Sequence, residues 1–386
     1  MRTISTAIAV TTLLGLGPAL GACEVFVAAS LLAEGDLCRR LEEVRLEFGL
    51  PAVAGGYVTA KGEVVVAVSG VRRAGTQDSV RLTDLFHLGS VTKPFTGALA
   101  AVLVGEEVIG FDATIGKILG EFFANLHSGH RSTTLDQILR HRAGFQGFEE
   151  DEEFERVPRF AGSVAEKRRE FVRWLLAQPP KTLPGSEHSY SNAGYSVAAV
   201  LMEQMSGQTW EELMVSKLLG PLGIGHFGFG WPIETGKPGT WGHRVDPRRT
   251  DSLEPHDPST DGYRLEDQYI GPAGDLSMDI DGLARFARFH LLGLQGKDQL
   301  LSADQINYLH TPFGEDTYAI GWNAYPNRST HVGSAGTAFA AVYLMRNRQL
   351  AMVVATNVWS DAEEEFGAAL LRAVLGAAKA AGAMPD

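Results

Sequence analysis

Cysteine is scarce in this chain: Cys23 and Cys38 are the only two in 386 residues. Neither has metal-ligand company, which excludes a structural zinc. His127 and His130 lack a carboxylate partner at ligand spacing, so they mark no metal site either. Positive charge is also in deficit, with 34 lysines and arginines against 46 aspartates and glutamates, a formal net charge of −12. There is no lysine- or arginine-rich stripe, and a phosphate backbone needs a basic face, so nucleic acid is excluded as a partner. No serine has glycine two residues away on both sides, which excludes a hydrolase built on the Gly-x-Ser-x-Gly elbow. Internal repeats, low-complexity tracts and long polar segments are missing as well. What remains is a chain of 45% hydrophobic residues, enough for one large or two small domains. The densest charge run, Glu149 to Glu153, reads as a solvated acidic loop.

Residues 1–23 read as an export segment. Arg2 precedes an uncharged run from Ile4 to Ala22 that Gly15, Gly17 and Pro18 interrupt, which disfavours a packed core helix. The run ends in "LGAC", Leu20 to Cys23, small residues before a cysteine that resemble a bacterial lipoprotein cleavage box. Lipid on Cys23 would tether the protein to a membrane without a span and leave Cys38 a lone thiol in the core. Ordinary secretion, an uncleaved anchor continuing into "VFVAASLLA", and a Cys23–Cys38 disulfide are the alternatives.

Asp36 opens a helix that places Leu37, Leu41, Val44 and Phe48 on one face, and Gly49 and Pro51 end it. Two β-rich runs around Ala60–Gly62 read as a hairpin. Near the other end, "YAIGWNAY" (Tyr318 to Tyr325), "FAAVYLM" (Phe339 to Met345) and "LAMVVATN" (Leu350 to Asn357) read as three strands. An alanine-rich helix follows from about Asp361 to Ala380. The reading is one α+β (α/β) domain over residues 36–386, with an antiparallel sheet drawn from both chain ends, about 36–93 and 302–386. Terminal helices flank that sheet, a mostly helical insertion spans about 94–301, and a site is expected at the seam between them.

Three short stretches could carry chemistry. Pro94 is tolerated only in a first helical turn, so the helix "FTGALAAVLVGEEV" begins near Ser90. Ser90 and Lys93, three apart, then share a face at the positive end of the helix dipole, where an amine kept partly neutral could accept the serine proton. Serine is also a favoured cap, so an ordinary helix cap is the alternative reading of Ser90 taken alone. In "LPGSEHSYSNAGY" (Leu183 to Tyr195), Tyr190 and Asn192 alternate on an extended loop and point the same way, a phenol to carry a proton and an amide to hold a partner. The ordinary alternative is a packed aromatic and a helix cap. In "STHVGSAGTAF" (Ser329 to Phe339), His331–Gly333 reads as a strand edge whose glycine admits close backbone approach. His-x-Gly recurs at His87 and His127, so this third signal is weak alone.

In this order and spacing, the three stretches resemble the serine β-lactamase and penicillin-binding-protein superfamily, and within it the class C β-lactamase-like branch. Ser90–Lys93 matches the family's Ser-x-x-Lys, Tyr190–Asn192 its Tyr-x-Asn, and His331–Gly333 its Lys/His-x-Gly. "TTLDQILRHRAGF" (Thr133 to Phe145) is similar to the family's His-Thr-Ser-Gly-Leu turn, with Arg142, Ala143 and Phe145 as departures. "GPAGDLSMDIDGLARF" and "YAIGW" resemble two further segments, and the likeness runs from about Leu37 to Leu375.

The resemblance implies acyl transfer through a serine ester. Ser90 would attack, Lys93 and Tyr190 would share the proton work, and Asn192 would hold Lys93 and the substrate. His331 would bond Tyr190 or the leaving part, and the backbone N–H groups of Ser90 and Ser334 would take the oxyanion. No metal or organic cofactor is implied. Potent class C enzymes carry lysine where His331 stands, so an ester or a D-amino-acid amide or peptide is favoured over penicillins. A weak class C-type β-lactamase and a non-catalytic peptidoglycan or ligand binder on the same fold are the alternatives.

Overall fold

The computed structural model describes residues 23–27, 34–149, 151–246, 249–257, 269–334 and 336–384. Apart from Cys23, the expected export segment lies outside the described residues. Seven strands form one sheet: β1 (Cys23–Val27), β2 (Ala52–Val58), β3 (Val64–Gly70), β4 (Asn323–Tyr325), β5 (Arg328–Ser334), β6 (Phe339–Met345) and β7 (Leu350–Thr356). Their spatial order is β1-β3-β2-β7-β6-β5-β4, every neighbouring pair antiparallel. Both ends of the chain therefore contribute, and β2 against β7 is where they meet. The helices that matter to the site are α1 (Glu34–Glu47), α2 (Thr92–Gly105), α3 (Asn192–Ser206), α4 (Ile280–Leu294) and α5 (Glu363–Ala380).

Strands β2, β3 and β7 are buried on both faces, and their period of two sorts side chains into two cores. Ala54, Val66, Val68, Val353 and Ala355 join α2 and α4 in the larger core. Val53, Tyr57, Val65, Ala67 and Val354 face the opposite way, onto Leu37, Leu41, Phe366, Leu370 and Val374 of α1 and α5. The sheet is thus the middle of three layers. Helix α4 comes from the stretch expected as an insertion, yet it packs across β2, β3 and β7.

Three local expectations change. Of "YAIGWNAY" only Asn323–Tyr325 is strand, because the Ala319 N–H bonds Trp322 O at 2.7 Å and turns the chain. His331–Gly333 lies inside the seven-residue strand β5. In the acidic run, Asp151–Glu155 forms a short helix instead of a loop. Cys23 of β1 is bonded to Cys38 of α1, with Cα atoms 6.2 Å apart. One sulfur serves a disulfide or a lipid, so Cys38 is here a bridging residue and not the lone thiol expected. No helix among the described residues is long and apolar enough to cross a membrane.

Candidate active site

Ser90 sits in a one-turn 3-10 helix, Gly89–Val91, which runs directly into α2. Pro94 is the third residue of α2, where no intrahelical partner is needed from its nitrogen. Two glycines set the crossing between this turn and β5. Gly89 has φ 51, and a Cβ there would lie 2.7 Å from Ser334 N. A Cβ on Gly333 would lie 2.2 Å from Leu88 O and 2.7 Å from Ser90 N. Only hydrogens fit between the two backbones, and this brings the Ser90 and Ser334 amides to one place.

Ser90 does not cap the helix. The cap positions of the turn and of α2 are Leu88 and Val91, with no side-chain hydrogen bond at either. The nearby Thr92 hydroxyl ties the turn to a distant segment: its Oγ1 donates to Gly89 O at 2.8 Å and accepts from Leu276 N at 3.0 Å. The Ser90 hydroxyl instead faces Lys93 Nζ at 2.9 Å and the Tyr190 hydroxyl at 3.0 Å.

Lys93 is fully buried, and its nitrogen has three oxygen neighbours: Ser90 Oγ, Asn192 Oδ1 at 2.7 Å and Ala273 O at 2.9 Å. The Ala273 carbonyl can only accept. Asn192 Nδ2 donates to Phe148 O at 2.7 Å, which fixes the amide with Oδ1 toward Lys93, so it too only accepts. Burial holds the amine well below the usual ammonium range, against the raising influence of the Glu149 and Asp275 carboxylates. A neutral amine has two hydrogens and one lone pair. Both hydrogens are claimed by these carbonyl oxygens, which leaves the lone pair directed at the Ser90 O–H. Burial pushes the Tyr190 phenol up, so it is a neutral donor to Ser90.

Tyr190 and Asn192 stand on the segment entering α3, which Ser191 caps by accepting from Gly194 N at 3.1 Å. Tyr190 projects before the cap and Asn192 from the first helical residue, so both reach the Ser90 turn. His331 does not bond Tyr190. Its Nδ1 lies 2.9 Å from Val332 O, which can only accept, so the ring proton is on Nδ1. Its Nε2 is left to accept from the Tyr318 hydroxyl at 3.3 Å. Burial, reinforced by the nearby Lys93, brings the imidazole down to about 3, so it is neutral. The structure thus gathers Ser90, Lys93, Tyr190 and Asn192 around one hydroxyl, crosses Gly333 and Ser334 over it, and keeps His331 one layer aside. The Ala273 and Phe148 carbonyls went unread because a backbone oxygen has no sequence signal.

A serine-bearing turn at the head of a buried helix, an amine beneath it, and a Tyr-x-Asn loop opposite a sheet edge define a penicillin-binding-protein-type serine fold. The chain belongs to the Beta-lactamase family, whose model matches residues 45–377. Penicillin-binding protein 4 of Amycolatopsis lactamdurans is 24% identical over 356 residues, 87% of this chain and 88% of that protein. Unguisins hydrolase ungD of Aspergillus violaceofuscus is 27% identical over 198 residues, 50% of this chain but only 34% of that protein. The octameric penicillin-binding protein homologue from Pyrococcus abyssi shares the fold, with a TM-score of 0.70 at 22% identity over 89% of this chain and 77% of its own.

Proposed function

We propose that the protein is a serine hydrolase that cleaves an ester or a D-amino-acid amide or peptide bond through a covalent acyl-Ser90 intermediate. The observation that carries this reading is the placement of Ser90 Oγ within 2.9 Å of the buried Lys93 Nζ and 3.0 Å of the Tyr190 hydroxyl; an amine whose two hydrogens go to Asn192 Oδ1 and Ala273 O turns its lone pair to the Ser90 O–H. In the forward step Ser90 Oγ bonds the substrate carbonyl carbon and its proton passes to Lys93 Nζ. The carbonyl oxygen takes the negative charge against the N–H groups of Ser90 and Ser334. Tyr190, in contact with Ser90 Oγ, hands a proton to the departing oxygen or nitrogen as the carbonyl re-forms, and the proton held on Lys93 Nζ passes to the phenolate, so that both groups return to their starting forms. Water repeats the sequence on the acyl ester and releases the acid. Asn192 holds Lys93 in place throughout. The proton that leaves with the departing group is replaced from water, and the cycle as proposed calls for no metal or organic cofactor.

The leaving side of the substrate would meet a neutral imidazole at His331. Beyond it, Ser334 bonds the Glu363 carboxylate, which also accepts from Trp359. A substrate carboxylate placed along β5 would face this acid, which supports esters and amides over β-lactams. Export is part of the proposal. The uncharged run from Ile4 to Ala22 and the Cys23–Cys38 bond both fit an oxidising compartment, while a lipid tether would need the Cys23 sulfur for itself.

The test is turnover of a panel of aryl esters, D-amino-acid anilides, D-amino-acid dipeptides and a chromogenic cephalosporin, with Ser90→Ala as control. Ester or D-amino-acid amide hydrolysis that vanishes in Ser90→Ala is expected. Faster cephalosporin than ester turnover would replace this reading with a β-lactamase. Binding of peptidoglycan fragments without turnover would replace it with a binder.

A further inference from the structure

Tyr190 stands on an irregular segment, and one distant residue holds the backbone on both sides of it. The Ser189 N–H donates to His141 O at 2.7 Å, and the Ser191 N–H donates to His141 Nδ1 at 3.1 Å. The imidazole also backs the phenol ring, with centroids 4.3 Å apart, and lies 4.6 Å from the Tyr318 ring. It is 1% exposed. Since an amide N–H only donates, Nδ1 carries the lone pair and the proton rests on Nε2. Burial keeps the ring in that neutral form.

The backbone of His141 has φ 58, a left-handed value uncommon outside glycine, though histidine is with asparagine and aspartate among the residues that adopt it more readily. A strained residue persists where its surroundings demand it. Here the strain turns the carbonyl and the ring of one residue toward the same loop. Downstream, other groups take over: Ser191 Oγ donates to Gln146 O at 2.5 Å and the Asn192 N–H to Gly147 O at 2.7 Å. The Asn192 end of the loop is thus held without His141, and the Tyr190 end is not.

We propose that His141 is a positioning residue that sets the Tyr190 hydroxyl against Ser90 by bracketing the Tyr190 backbone and backing its ring. The inference rests on the proton-carrying role of Tyr190 given under Proposed function. His141 does not touch the substrate and acts through the phenol.

Two substitutions separate this role from general packing. His141→Gly keeps the left-handed backbone and deletes both acceptor side chain and ring. His141→Asn also tolerates that backbone and returns an acceptor oxygen near the position of Nδ1. The readout is the rate of fluorophosphonate labelling at Ser90, with melting temperature measured in parallel. Wild type labels, His141→Gly slows by at least about 10-fold, and His141→Asn recovers to within about threefold, the loss staying below that of a whole acid–base group. In a Tyr190→Phe background, His141→Gly causes no further slowing, because the two sites act as one. Labelling of His141→Gly at the wild-type rate overturns the proposal. So does an equal slowing in the Tyr190→Phe background. If wild type itself does not label, the hydrolase reading fails first, and the role of His141 with it. If the glycine variant does not fold, hydrogen exchange of the 189–192 amides in His141→Asn decides: protection at the wild-type level is expected, and fast exchange with normal labelling overturns the bracket.

Discussion

Asn192→Asp changes little in shape and much in charge. Asn192 Oδ1 lies 2.7 Å from Lys93 Nζ, and Nδ2 donates to Phe148 O at 2.7 Å. An aspartate would place a carboxylate beside an amine that burial holds well below the usual ammonium range. With an effective dielectric of about 20, two unit charges at this separation attract by roughly 6 kcal/mol, which favours the ammonium. Part of that gain is offset by desolvating the new carboxylate and by facing it toward the Phe148 carbonyl. The remainder is enough to protonate Lys93 at neutral pH, and an ammonium has no lone pair to give. Ser90 then loses its base, and acylation should fall by about 10²–10⁴-fold, the usual worth of general base catalysis. The assay is the rate of Ser90 labelling from neutral to alkaline pH, where the variant should recover as the amine is forced to deprotonate. A variant that labels at the wild-type rate, with an unchanged pH profile, would refute the assignment of the Lys93 lone pair.

Three further outcomes are expected. His331→Lys supplies a cation to β5 where a neutral imidazole stands, and a charge-assisted bond of about 1.5–3 kcal/mol should raise acylation by a carboxylate-bearing cephalosporin about 10-fold or more. No gain in stopped-flow acylation would show that the substrate carboxylate lies elsewhere. Acid should destabilise the fold: burial brings His87, His290 and His331 down to about 3 and His243 to about 4, against about 6.5 in the unfolded chain. The unfolded chain binds protons that the folded one refuses, so this stability is fully present above about pH 6.5 and is lost as pH falls from there toward 4. Burial also lowers His141 and His310, while Asp279, raised by burial to about 6, takes up a proton in the opposite sense; the histidines outnumber it, so acid lowers stability across this window. Urea unfolding with equal midpoints at pH 7 and pH 5 would contradict this. Cys38→Ser opens a bond that spans 15 residues and should cost about 3 kcal/mol of stability. A wild-type protein with a free Cys38 thiol and a lipid on Cys23, seen by intact mass, would contradict the pairing.

The grouping of Ser90, Lys93, Tyr190 and Asn192 was legible because each position rests on a local rule. Pro94 fixes where α2 can begin, and the spacing of three then faces Lys93 toward Ser90. Alternation along the loop sends Tyr190 and Asn192 to one side, and helix α3 starts where the Asn192 side chain is needed. The three-layer order was legible in part, since "FAAVYLM" and "LAMVVATN" read as strands from their β-branched content. What stayed hidden was set at long range. Nothing local shows that α4 folds back over β2, β3 and β7, or that Ala273 and Phe148 lend carbonyls to Lys93 and Asn192. The Thr92 hydroxyl bonds Gly89 and Leu276 together, and Leu276 is 184 residues further along the chain than Thr92. The Tyr318 contact of His331 depends on a turn at Ala319–Trp322 that strand periodicity does not predict.

The central claim is that Ser90 is an activated nucleophile, and intact mass with peptide mapping tests it most directly. The protein lacking residues 1–22 is treated with a fluorophosphonate beside its Ser90→Ala variant. The account predicts one phosphonyl adduct on the peptide containing Ser90, and none on the variant. A folded wild-type protein with no adduct, or with the adduct on another residue, would contradict it.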